Sequence, residues 1–183
     1  MCLDVKTEGL IKRRIDQAKN FRIGNVVPDI VLPDSSGGEV GLSQITSEKT
    51  LIVFYSSSCP HCRKMLPQLN ELCSRQKKKR VEISASAMDE KKTDLLNYVK
   101  ENNLSWINLS DLKGWNGEAV LNYSIYAKPT MFLIDRTMKI ISKPMGIEEV
   151  RSLFSFGLSD RLPPIIVERK TSTRVCSLLL PLV

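Results

Sequence analysis

Two periods of apolar residues alternate along the chain. Between residues 8 and 19, Leu10, Ile11, Ile15 and Ala18 recur at helical spacing among charged positions, which predicts a short amphipathic helix. Residues 28–34 read as a short strand, Ser35-Ser36-Gly37-Gly38 as a turn and 39–42 as the returning strand of a hairpin. Residues 50–55 run apolar without interruption, as expected of a central strand covered on both faces. A helix follows over 59–75, with Cys62, Met65, Leu66, Leu69, Leu72 and Cys73 on its apolar face. Residues 81–87 predict the next strand, and 91–102 and 116–123 predict helices. Strands over 130–135 and 139–142 turn through Arg136-Thr137, and a last helix begins near Ile147 and runs toward Phe156. Strands alternating with helices, closed by a hairpin and a helix, make an α/β domain with a mixed sheet. From Leu162 onward no period is present, Pro163-Pro164 interrupts the chain, and the sequence reads as a tail.

Composition narrows the class without changing this picture. The 183 residues are 42% hydrophobic with 9 Gly and 9 Pro, which predicts one ordinary globular core. Lys and Arg number 27 against 20 Asp and Glu, a net charge of +7, yet the densest basic run is Lys77-Lys78-Lys79-Arg80. That run follows a predicted helix, where cations complement the carbonyl end, and no aromatic stacking set accompanies it, so nucleic acid is not an expected partner. No apolar stretch reaches the length that spans a bilayer, and Met1-Cys2-Leu3-Asp4 does not open a basic and then apolar leader. The chain as given is expected to be soluble. A leader or membrane tether would belong to a longer precursor.

Five cysteines at irregular spacing, Cys2, Cys59, Cys62, Cys73 and Cys176, are not a disulfide framework. Cys59-Pro60-His61-Cys62 is the informative pair. A structural zinc site needs four ligands, and His61 is the only histidine. Haem attachment needs a histidine directly after the second cysteine, where Arg63 stands. The redox reading fits the surroundings. A strand feeding straight into a helix places Cys59 at the helix N-terminus, where free N–H groups stabilise a thiolate. Pro60 suits the first turn, because its missing N–H would have no helical partner there. Cys62, one turn on, can attack a mixed disulfide at Cys59, and His61 adds positive character beside the thiolate.

Several stretches carry a resemblance: Gly24-Asn25-Val26-Val27-Pro28-Asp29-Ile30-Val31-Leu32-Pro33-Asp34 with Gly38 and Leu42-Ser43, the Cys-Pro-His-Cys pair, Pro67, and Lys128-Pro129-Thr130-Met131-Phe132-Leu133-Ile134-Asp135. Over residues 22–156 the chain resembles the thioredoxin-like proteins of the bacterial TlpA and ResA group, which share an N-terminal signature with the AhpC/TSA peroxiredoxins. The resemblance implies a thioredoxin-like α/β fold, with a mixed central sheet flanked by helices and an N-terminal β-hairpin extension. It divides the chain into a leader over 1–21, a thioredoxin-like domain over 22–158 and a tail over 159–183. It implies that Pro129 is a cis-proline facing the dithiol, with Lys128 and Thr130 helping to orient a substrate, and that Pro67 kinks the helix.

The implied activity is protein thiol–disulfide exchange, reducing or oxidising, by a monomer with no dissociable cofactor and no metal. Its expected partners are protein thiols or disulfides and an upstream redox donor, in the periplasm or another extracytoplasmic space. Departures from the pattern are specific. The buried aspartate that thioredoxins carry six residues before the first cysteine is Val53 here. The glutamate that ResA-like members carry three residues after the second is Met65. Those replacements leave His61 or water as candidate proton acceptors for Cys62. Ser58 stands where a tryptophan is common. Pro-His between the cysteines is also the DsbA pair, and about 150 mV separates thioredoxin from DsbA.

A thiol peroxidase is one alternative, weakened because Ile52 occupies the proline position of the peroxidatic loop. A non-catalytic metal-binding thioredoxin-like protein is another. Cys73 is expected as a buried small hydrophobe, and Trp106 and Trp115 as core residues or the border of a substrate groove.

Overall fold

The computed structural model describes residues 4–44, 47–75 and 81–155. The basic run at 77–80, the helix end at Phe156, the tail, Cys2 and Cys176 lie outside them. Five helices and seven strands are described: α1 (Val5–Asn20), β1 (Val31–Pro33), β2 (Glu39–Gly41), β3 (Lys49–Tyr55), α2 (Pro60–Arg75), β4 (Val81–Ala87), α3 (Lys92–Glu101), β5 (Ile107–Leu109), α4 (Glu118–Asn122), β6 (Thr130–Asp135), β7 (Ile140–Ser142) and α5 (Ile147–Ser155). The main sheet runs β5-β4-β3-β6-β7. Its β3, β4 and β5 are parallel, whereas β6 is antiparallel to both β3 and β7.

Strand β3 is the axis of the molecule, because its alternating side chains feed two separate cores. Leu51, Val53 and Tyr55 pack with Cys62, Leu66 and Leu69 of α2 on one face. Ile52 and Phe54 pack with Phe132, Tyr123 and Phe21 on the other. Burial on both faces is why the run reads as continuously apolar. The β1–β2 hairpin turns at Asp34, whose Oδ1 accepts the N–H groups of Ser36, Gly37 and Gly38 at 2.8–2.9 Å. Gly37 takes a φ of +95°, which glycine adopts without steric cost. The hairpin is tied to the body by the Tyr123 hydroxyl, which donates to the Pro28 carbonyl at 2.8 Å.

The structure differs from the sequence reading in a few elements. Helix α1 runs longer than expected, from the Asp4 cap, whose Oδ1 accepts the Thr7 N–H at 2.9 Å, to Asn20. β5 was not legible as a strand. The helix expected over 116–123 is a 3-10 turn, Gly114–Asn116, followed by the short α4. Cys73 is half-buried and packs against the α2-side core rather than inside it. Trp106 is buried in that core, while Trp115 stays 39% exposed.

Candidate active site

The carboxyl end of β3 delivers the chain into α2 through Ser56-Ser57-Ser58, and Cys59 stands immediately before the first helical residue, Pro60. The Cys59 N–H donates to the Ser56 carbonyl at 3.1 Å, and the Arg63 N–H returns to the Cys59 carbonyl at 2.9 Å. Pro60 and His61 are exposed on the first turn, while Cys59 and Cys62 are buried free thiols.

The two sulfurs are electrostatically unlike. Burial pushes the Cys59 thiol up, but the Cys62 N–H, the Cys62 thiol, the His61 N–H and the Lys128 charge together outweigh it, so its pKa lies below the ordinary value. These are the free amides of a helix N-terminus acting on a thiolate. Among these influences His61 acts through its main-chain N–H. Cys62 is the reverse case: burial pushes its thiol up to about 12, against an opposing N–H from Ser56, and the hydrogen bond and charge of Cys59 push the same way as burial.

Strand β6 brings the second wall. Lys128–Pro129 is a cis peptide at its start, and the Cys59 thiol donates to the Lys128 carbonyl oxygen at 3.7 Å. The Lys128 ammonium lies 5.4 Å from the centre of the Trp115 ring. Thr130 Oγ1 donates to the Ala127 carbonyl at 2.8 Å, and the Thr130 main chain stands opposite Phe54 of β3, which fixes the start of the strand. The structure therefore brings together Cys59, Cys62, Lys128 and Pro129, with Thr130 behind them.

Sequence reasoning missed two members of this neighbourhood. Arg63 Nη1 donates to the Ser57 carbonyl at 3.1 Å while its guanidinium lies 5.3 Å over the Tyr98 ring. Asp89, just after β4, accepts hydrogen bonds from Ser56 and Ser57. The Met88 N–H donates to the Tyr55 carbonyl at 2.7 Å, extending the parallel ladder until Asp89 lies beside the loop. No group of three or more His, Cys, Asp or Glu side chains among the described residues is arranged to hold a metal ion. Val53 and Met65 are buried and apolar.

The sequence model of the AhpC/TSA family matches residues 23–143, a span that holds both cysteines and the cis-proline. The chain belongs to the AhpC/TSA family. Within that family it is similar to the thiol-disulfide oxidoreductase ResA of Bacillus thuringiensis subsp. konkukian, at 33% identity over 128 residues, covering 70% of this chain and 72% of the relative. ResA of Geobacillus kaustophilus is 31% identical over 132 residues, with 70% and 74% covered. A putative thiol:disulfide interchange protein DsbE from Chlorobium tepidum superposes with a TM-score of 0.64 at 27% identity, over 73% of this chain and 95% of that one. The thioredoxin domain of a Bacteroides vulgatus thiol-disulfide oxidoreductase gives 0.66 at 25% identity, over 73% and 96%. This AhpC/TSA member has the thioredoxin-like fold and is a thiol–disulfide oxidoreductase.

Proposed function

We propose that Cys59 and Cys62 are the redox pair and that the chain reduces disulfides of protein substrates. The observation that carries this is the contrast between the two thiols: Cys59 is held toward the thiolate and Cys62 toward the protonated thiol. The Cys59 thiolate attacks a substrate disulfide, forming a Cys59–substrate bond and releasing one substrate thiolate. Cys62 then gives up its proton and attacks the Cys59 sulfur, forming the Cys59–Cys62 disulfide and releasing the second substrate thiolate. The substrate loses no atoms and gains two electrons from the pair. Pro129, Lys128 and Thr130 orient the incoming segment, and Pro60 and His61 tune Cys59. The working unit is residues 22–158. It draws electrons from an upstream thiol donor in an extracytoplasmic space, the setting expected from its resemblance to the TlpA and ResA group.

The test is reduction of a mixed-disulfide or insulin substrate by the wild type, Cys59→Ser and Cys62→Ser. Loss of turnover in both variants, with a trapped Cys59–substrate adduct only in Cys62→Ser, is the expected result. Turnover surviving Cys59→Ser would remove the reading. The stabilised Cys59 thiolate favours a second reading, oxidation of substrates, since holding the reduced form makes the disulfide a stronger oxidant. Equilibration with glutathione separates the directions.

A further inference from the structure

Trp115 is the exposed one of the two tryptophans and belongs to neither core, yet its place is fixed. It sits in the 3-10 turn Gly114–Asn116, which Asp111 braces from both sides: Oδ1 accepts the Lys113 N–H at 3.1 Å and Oδ2 accepts the Glu118 N–H at 2.7 Å. Gly114 takes a φ of +56°, and the Glu90 side chain lies so close that a Cβ there would come within 2.7 Å of its Oε1. Glycine alone suits both conditions. The ring is therefore held out at the surface by a braced turn, and what it meets there is the Lys128 ammonium, 5.4 Å from the ring centre. The carbonyl of the same lysine lies 3.7 Å from the Cys59 sulfur, so one residue joins the nucleophile to the indole. Among the described residues no carboxylate pairs with Lys128. The neighbouring acids are engaged elsewhere: Asp89 accepts from Ser56 and Ser57, and Glu90 lies against Gly114. The first turn of α2 holds no acidic residue, and His61 and Lys64 are exposed on that helix. The rim of the dithiol is thus cationic with an aromatic edge.

Resting on the dithiol reading above, we propose that Lys128 and Trp115 form a subsite that selects protein disulfides flanked by an aspartate or glutamate. When Cys59 is bonded to a substrate sulfur, that sulfur stands beside the Lys128 main chain, and the residue next to the substrate cysteine passes the Lys128 side chain. A carboxylate there meets an ammonium that the indole already holds, so less side-chain freedom is lost on pairing than at an ordinary surface lysine. The exposed part of the indole covers the apolar portion of the same segment. A lysine or arginine in that place meets a like charge and is disfavoured. The subsite changes which disulfide is taken, and the bonds that form and break stay those of the dithiol exchange.

Three short peptides, differing only in a Glu, Gln or Lys next to a cysteine activated as its 2-pyridyl disulfide, read the selection. Attack by Cys59 of the reduced full chain releases neutral 2-thiopyridone and leaves the peptide on Cys59, where a substrate would stand. Each rate is divided by that peptide's rate with mercaptoethanol, which removes its own reactivity. At low salt the Glu peptide is expected to react about fivefold faster than the Gln peptide, and the Lys peptide more slowly than both. The Glu-to-Gln ratio is expected to fall toward one in about 0.5 M salt. Any change in the Cys59 thiolate cancels in this ratio, so the ratio reads the subsite. It is expected to drop below about twofold in Lys128→Gln and below about threefold in Trp115→Ala, and to hold in Lys64→Gln, which removes an exposed cation outside the subsite. A wild-type ratio below about threefold overturns the proposal, as does either subsite variant staying above its bound, a preference that salt leaves intact, or a Lys64→Gln ratio as low as that of Lys128→Gln, which marks a diffuse field. Release that persists in Cys59→Ser removes the dithiol reading itself, whereas release that needs Cys59 but shows no preference overturns the subsite alone.

Discussion

The Cys59 sulfur lies 3.7 Å from the Lys128 carbonyl oxygen, across 69 positions of sequence. Lys128 thus meets the nucleophile twice, through that carbonyl and through the charge of its ammonium, which favours the thiolate at both cysteines. Trp115 gives the ammonium an aromatic face to rest on, an attraction of the cation–π kind.

Lys128→Met keeps the main-chain contact and removes the charge. Alkylation of Cys59 by iodoacetamide is expected to slow at neutral pH, with its midpoint moving toward the free-thiol value of about 8.5. Trp115→Ala is expected to move the midpoint in the same direction by less. An unchanged midpoint in Lys128→Met would mean that the helix amides alone set the thiolate.

Cys59 and Cys62 should ionise in that order and far apart. In the reduced chain one alkylation with a midpoint below about 8.5 is expected, assigned to Cys59 by mass spectrometry, with Cys62 unmodified until strongly alkaline pH. His61→Ala leaves the main-chain N–H in place, so a midpoint that stays put assigns the tuning to the backbone, and one that rises assigns it to the ring.

The buried Cys62 thiol also makes stability depend on alkaline pH. Its folded pKa is raised to about 12 from an unfolded value of about 8.5. Below the unfolded value both states hold the proton and the contribution is fully present. Between the two values the unfolded chain loses the proton first, so the contribution drains away as pH rises toward the folded value. The reduced wild type is therefore expected to lose stability relative to Cys62→Ala at up to about 1.4 kcal/mol per pH unit above about 8.5. Urea unfolding at pH 7.5 and pH 9.5 checks the sign.

Tyr123→Phe removes the hydroxyl that ties the Pro28 segment to the body and leaves a carbonyl without its donor. A loss of about 1–2 kcal/mol and a Tm lower by about 2–8 °C are expected, with the rate of the Cys59 reaction unchanged, because the tie lies on the opposite face of β3 from the dithiol.

The long periodic segments were legible in the sequence because their pattern is set locally. Val81–Ala87 and Thr130–Asp135 fall where the apolar runs place them, and α2 begins where Cys59-Pro60 signals a helix start. Ile107–Leu109 was not legible, since three residues carry no period and only pairing with Ser84, Ala85 and Ser86 makes them a strand. The cysteine pair and the start of β6 were visible as motifs. Asp89 was not, because a single aspartate between the strand over 81–87 and the helix over 91–102 carries no motif. Its burial is a product of the parallel pairing of β3 and β4, which brings two strand ends side by side.

The antiparallel seating of β6 against β3 has a consequence for the order of events on the ribosome. Cys59 and Cys62 emerge well before Lys128, and the Ser57 contact to Asp89 closes over a separation of 32 positions while the Cys59 contact to Lys128 closes over 69. Contacts at greater sequence separation form later, since more chain must be ordered to close them. A nascent chain therefore carries both thiols before it carries the ammonium that favours the Cys59 thiolate. The helix amides around Cys59 are local and come first, and the Lys128 charge is added only when the second half of the sheet docks.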